Sequence, residues 1–231
     1  LAHRKREEPD RTWEAVDLPG RLRVDDHVGS VAAMAEHVVD RVIALGRGPA
    51  LLAGHSMGGA VCLRAAVDFP AWVKGLVIIG SGASMTVPRA MQEALDRGVT
   101  LKDRAFASQA LSPGLDEGRR DELIQRMGKV PFSVLRADLV ASGRMRMRSR
   151  LSEITVPVRI IVGKDDRLVP PLAGMKLNDL IEGATLRTLP GVGHMIQWEA
   201  PGTLAEEIES MALDLDRRSE EHTSELQSLL I

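Results

Sequence analysis

Ala50-Leu51-Leu52-Ala53-Gly54-His55-Ser56-Met57-Gly58-Gly59-Ala60-Val61-Cys62-Leu63-Arg64-Ala65-Ala66-Val67-Asp68 is the stretch on which the fold turns. Its first four residues form an apolar run bounded by Pro49 and Gly54, too short for a helix, and read as a buried strand. Residues 58–68, rich in Ala, Val and Leu, read as a helix that ends before Pro70. Strand and helix are joined by one sharp turn, with glycines on both sides of a serine.

The same alternation continues on either side. Upstream, Val28, Val31, Ala35, Val38, Val39 and Val42 recur at threes and fours, which predicts a helix over 28–45, with Gly46 as its stop. Downstream, residues 75–79 and 158–162 read as buried strands, 185–189 as a further strand, and 172–181 and 203–213 as helices. Strand and helix in alternation predict an α/β fold, a mostly parallel sheet with helices on both faces. Between Ile79 and Val158 lie nearly eighty residues with no strand signal. They hold helix-like segments at 88–97, 101–110, 117–127 and 132–142. A structureless loop of that length is rare, so the stretch reads as a helical lid at the ligand-facing end of the sheet.

Composition bounds the function classes. The chain has 231 residues, 44% of them hydrophobic, which is enough for a packed core. A formal net charge of -2 gives no general pull toward nucleic acid or an anionic membrane. A single cysteine, Cys62, excludes an internal disulfide. No apolar run has the length of a membrane span, and the charged start Leu1-Ala2-His3-Arg4-Lys5-Arg6 carries no signal-peptide core, so a cytoplasmic location is expected. No Cys/His cluster has metal-ligand spacing, so neither metal nor cofactor is expected. The basic run Arg144-Met145-Arg146-Met147-Arg148-Ser149-Arg150 reads as solvated surface ahead of an anion-attracting patch. The ten methionines read as core filler ahead of an adaptable pocket lining.

Gly54-His55-Ser56-Met57-Gly58 has the pattern G-x-S-x-G. Between a strand and a helix, this pattern holds a serine in a strained backbone conformation that pushes its hydroxyl clear of the sheet. Ser56 is therefore the candidate nucleophile. The Met57 N–H, at the start of the helix, is the candidate oxyanion donor. His55 reads as a packing residue of the turn, and Cys62 as buried and inert. Leu189-Pro190-Gly191-Val192-Gly193-His194 places a histidine in a loop at the carboxyl end of a parallel strand, where ligands bind in such sheets. Gly163-Lys164-Asp165-Asp166-Arg167 follows another strand end and supplies two carboxylates. One of them is expected to orient the His194 imidazole, and the other to form the turn or lie at the surface.

Taken together, these residues resemble the α/β-hydrolase superfamily, from about Trp13 to Leu213, and within it small capped bacterial esterases. Asp17-Leu18-Pro19-Gly20 is similar to the family's D-x-P-G loop. Gly193-His194, Glu199 and Pro201 are similar to its G-H-x-x-x-x-E-x-P signature. In the family's G-x-x-D-x-x-V-P the acid lies four residues before the proline, which implies Asp166 and makes Asp165 the weaker candidate. The resemblance implies a catalytic triad of Ser56, His194 and Asp166. It further implies a serine hydrolase that cleaves carboxylic esters of small molecules through an acyl-enzyme. A C–C bond hydrolase, thioesterase or perhydrolase with the same triad is the alternative. A serine at the turn argues against epoxide hydrolases and haloalkane dehalogenases, which resemble this family with an aspartate there.

The family's His-Gly loop, which lies before D-x-P-G and supplies a second oxyanion donor, has no counterpart in residues 1–16. The expectation is a core whose first strands are missing, with a free sheet edge beside residues 50–53, and a catalytically incomplete fragment is then a further reading. Arg218-Ser219-Glu220-Glu221-His222-Thr223-Ser224-Glu225-Leu226-Gln227-Ser228 resembles the in-frame translation of a short-read sequencing adapter. The expected organisation is an incomplete core over 1–84 and 151–217, a helical cap over 85–150, and a non-native tail over 218–231.

Overall fold

The computed structural model of the chain describes residues 11–19, 29–84, 89–99, 102–129 and 131–228. Among these residues four strands, β1 (Ala50–His55), β2 (Val73–Ile79), β3 (Val158–Gly163) and β4 (Thr185–Leu189), form one sheet in the order β1-β2-β3-β4. Every pairing is parallel. The sheet is the expected α/β one, and β1 stands at an edge of the described sheet. Gly20 and Val28 lie outside the described residues, so the D-x-P-G loop and the expected first residue of the upstream helix are seen only in part.

The chain crosses the sheet through helices whose ends obey local rules. α1 (Val31–Leu45) begins where the Ser30 hydroxyl accepts the Ala33 N–H at 3.2 Å, and ends at Gly46, which adopts φ 64°. Glycine takes that left-handed conformation without steric cost. α2 (Met57–Asp68) follows β1 directly. Side chains from alternate strand positions go to opposite faces. Leu76, Ile78, Ile160 and Val162 pack with α1 and α2, together with Leu177 of α7 (Pro171–Leu180). Val77, Ile79 and Ile161 pack with Ile196 of α8 (Ile196–Glu199) and with Leu204, Met211 and Leu215 of α9 (Pro201–Ser228).

Between β2 and β3 lie α3 (Arg89–Asp96), α4 (Arg104–Ala107), α5 (Glu117–Met127) and α6 (Phe132–Gly143), with no strand among the described residues. Part of this stretch has its own small core. Ala107, Ala110, Leu111, Leu123, Ile124 and Met127 cluster with Leu168 from the loop after β3, Met195 from the loop after β4 and Trp198 of α8. The basic run after α6 is more than a solvated face. Met145 and Met147 are buried in the main core while Arg144, Arg146 and Arg148 stay exposed. Arg150 pairs with Asp68 at 2.8 Å, tying the run to the end of α2.

The last helix is longer than expected. α9 runs for 28 residues, through the position where the tail was expected to begin, without a break. The reason is local: residues 203–228 contain neither Gly nor Pro, and are rich in Glu and Leu.

Leu76, in an interior strand, is fully buried. Leu76→Ala is expected to cost about 3 kcal/mol through lost burial and the cavity left behind. Urea unfolding followed by circular dichroism measures this, and a loss below about 1 kcal/mol would contradict the assigned core.

Candidate active site

The carboxyl ends of β1, β3 and β4 bring the candidate residues to one edge of the sheet. Ser56 sits between β1 and α2 at φ 53° and ψ -117°, the one non-glycine residue with positive φ among the described residues. Such a conformation costs on the order of 1–3 kcal/mol and persists where the surroundings over-determine it. Here the Ser56 N–H donates to the Ile79 carbonyl at 2.8 Å, and the Ser56 carbonyl accepts from Gly59 and Ala60 at 3.0 and 3.3 Å. A Cβ on Gly54 would lie 2.3 Å from the Gly58 carbonyl oxygen, and one on Gly59 would lie 2.7 Å from the Ser81 Cβ. The first contact is with backbone and the second with a side-chain carbon next to it, and neither leaves room for a Cβ. The Ser56 hydroxyl makes no capping bond to α2, so it is left to the site. The N–H of Met57 lies at the start of α2, and no acceptor takes it among the described residues.

The loops after β3 and β4 are joined backbone to backbone. Lys164 N–H donates to Leu189 at 2.8 Å and Asp165 N–H to Val192 at 2.9 Å. Asp166 is held from two sides. Its Oδ1 accepts the N–H groups of Leu168 and Val169 at 2.9 and 2.8 Å, and its Oδ2 meets His194 Nδ1 at 2.7 Å. The Asp166 side chain is fully buried and that of His194 is 7% exposed. A carboxylate only accepts, so Nδ1 carries the proton and Nε2 presents a lone pair. Asp165 turns the other way and accepts the Ser112 hydroxyl at 2.8 Å. It is neither a surface charge nor a partner of the imidazole.

His55 links the serine turn to the histidine loop. Its Nε2–H donates to the His194 carbonyl at 2.8 Å, and its ring lies 4.6 Å from the His194 ring at a tilt of 51°. The Gln197 amide reaches its Nδ1 at 3.5 Å. Burial pushes His55 from 6.5 down to about 3, with the neighbouring His194 adding to the effect. Gly80, at φ 52°, leaves room for the His194 ring: a Cβ there would be 3.4 Å from Nδ1. Ser56 and His194 make no side-chain hydrogen bond with each other in this structure, and such contacts commonly tighten only with substrate bound. Cys62 is buried, which pushes its thiol up to about 12 and keeps it protonated and unreactive.

Two residues that contact these loops escape a sequence reading. Ser112, buried in the stretch between α4 and α5, has no flanking pattern that marks it. Glu199 is visible in the sequence only as a letter of a signature. Its carboxylate accepts three backbone N–H groups, from Ser112, Gly193 and Met195. Among the described residues no group of three His, Cys, Asp or Glu side chains is arranged to hold a metal ion. No described helix is long and apolar enough to cross a membrane.

Residues 2–207 match the model of a family described as the alpha/beta hydrolase family. A 2-hydroxy-6-oxononadienedioate/2-hydroxy-6-oxononatrienedioate hydrolase from a Pseudomonas species is 32% identical over 74% of this chain and 64% of its own length. The enzyme of the same name from Burkholderia vietnamiensis is 31% identical over 88% of this chain and 75% of its own. Among solved structures, Est816, described as an N-acyl homoserine lactone degrading enzyme, superposes with a TM-score of 0.68 at 26% identity. That likeness covers 78% of this chain and 74% of Est816.

The buried His55 makes stability depend on pH with a definite sign. Its folded pKa of about 3 lies below the unfolded 6.5. As pH falls between those values, the unfolded chain gains a proton that the native one refuses, and stability is lost. The stability difference between the parent and His55→Gln is expected to shift against the parent by about 2 kcal/mol between pH 6.5 and 4.5. Urea unfolding across that range measures it, and parallel pH profiles for the two proteins would contradict it.

Proposed function

The chain belongs to the alpha/beta hydrolase family, and from that premise we propose that it is a serine hydrolase acting on carboxylic esters of small molecules. Ser56 is the nucleophile, His194 the base and Asp166 the acid that orients it. The observation that carries the reading is the buried Asp166–His194 pair, 2.7 Å apart, at the same strand edge as the one positive-φ serine.

Ser56 Oγ attacks the ester carbonyl while His194 Nε2 takes its proton. The imidazolium that forms is stabilised by Asp166, whose charge is held in place by the Leu168 and Val169 N–H groups. Met57 N–H, at the positive end of the α2 dipole, faces the developing oxyanion. Collapse of the tetrahedral intermediate expels the alcohol, which receives the proton from His194. Water then enters, gives a proton to His194, and releases the carboxylic acid and free Ser56. His55 stays neutral near pH 7, so it adds no second positive charge beside the imidazolium. Residues 85–150 are read as the cap over this site, and Leu111 and Trp198 cluster together at its base.

A second reading keeps the triad and changes the bond. Relatives at 31–32% identity are named as hydrolases of 2-hydroxy-6-oxo dienedioates. In such a reaction the leaving group is carbon, which departs as a stabilised enolate and is then protonated. Est816, at 26% identity, is named for degrading a lactone, a cyclic ester, which supports the ester reading.

Two assays on the full chain test the proposal: release of p-nitrophenol from its butyrate ester, and loss of the visible absorbance of a 2-hydroxy-6-oxo dienoate. Ester turnover that falls at least about 10⁴-fold in Ser56→Ala is expected. Dienoate turnover with no ester turnover would replace the ester reading by the C–C one. Retention of either activity in Ser56→Ala would remove Ser56 as nucleophile.

A further inference from the structure

Gly193, His194 and Met195 direct their N–H groups onto just two acceptors. Gly193 donates to Glu199 Oε2 at 3.0 Å and Met195 to Glu199 Oε1 at 3.2 Å. His194 donates to the Ala110 carbonyl at 2.9 Å, an acceptor that Met195 shares at 3.3 Å. The residues on both sides of the histidine thus hang on one carboxylate. That carboxylate also crosses to the stretch between α4 and α5, accepting the Ser112 N–H at Oε2 at 2.8 Å. The approach there is close: a Cβ on Gly193 would lie 2.5 Å from the Ser112 nitrogen. Ser112 is gripped from the acid loop as well, through its hydroxyl to Asp165.

A glutamate that only closed the first turn of α8 would need no more than the Met195 N–H. The further bonds to Gly193 and Ser112 reach outside that helix, into the loop that aims His194 and into a neighbouring segment. Charge-assisted bonds of this kind are stronger than neutral ones and fix direction as well as distance. We propose that Glu199 is a positioning residue: its carboxylate, shared between the two neighbours of His194 and Ser112, sets where the imidazole stands. Seating of the 108–115 stretch on the site is thereby coupled to alignment of the base. This inference rests on the triad reading for its effect on rate, and on geometry alone for its effect on the His194–Asp166 bond.

The test uses the full chain and two variants, Glu199→Gln, which keeps an acceptor oxygen, and Glu199→Leu, which keeps none. One readout is independent of turnover: the downfield proton resonance of His194 Nδ1–H, assigned by its absence in His194→Gln. It is expected to shift or broaden in Glu199→Leu and to stay closer to the parent in Glu199→Gln. With p-nitrophenyl butyrate, kcat is expected to fall about 100-fold in Glu199→Leu with KM held within about twofold, and about tenfold in Glu199→Gln. An unchanged resonance in folded Glu199→Leu, or a kcat loss that only tracks the folded fraction with no recovery in Glu199→Gln, would overturn the proposal. Turnover retained in Ser56→Ala would sink the triad reading and leave the resonance to decide the role of Glu199.

Discussion

The crossing of β1 into α2 is the constraint from which the site follows. Ser56 is held at positive φ where the chain passes from a strand to a helix whose first turn lies against the strand's penultimate residue, Gly54. Gly54 and Gly58 meet where a Cβ would stand 2.3 Å from a carbonyl oxygen. The hydrogen bond from Ser56 N–H to Ile79 locks the same turn to β2. Strain at one residue is thus balanced by the packing of two strands and a helix. The products of that balance are a free hydroxyl and a helix start aimed at one point.

Around that point, two loops act as one body. Backbone bonds from Lys164 and Asp165 to the β4 loop, and the close passage of Gly163 under Gly193, fix Asp166 relative to His194 before their side chains meet. His55 then spans from the serine turn to the His194 carbonyl. Each candidate residue is supported by backbone contacts from a different strand end, which is how a site gains precision without its own rigid loop.

Much of this was legible in the sequence because the signals were local. The strand at 185–189 and the helix at 117–127 stand at their expected limits, the helix starting where the Asp116 carboxylate accepts the Arg119 N–H at 3.1 Å. What stayed hidden depends on tertiary contact. The helix Ile196–Glu199 is too short to show a period. α9 was expected to end at Leu213, whereas Leu215 continues its apolar stripe into the core and helix propensity carries the chain onward. Asp165 and Asp166 are adjacent acids that the family pattern ranks, but whose partners only three-dimensional placement reveals. One faces Ser112 and the other the imidazole. The basic run was read by its charges, and its methionines, directed into the core, decide how it sits.

On the proposed reading, the strained turn presents Ser56 as the nucleophile, with His194 as its base. Incubation of the folded chain with a fluorophosphonate, followed by peptide mapping by mass spectrometry, tests it directly. One adduct is expected, on the peptide that contains Ser56, and none when His194 is replaced by Gln. An adduct on another residue, or none on the folded chain, would contradict it.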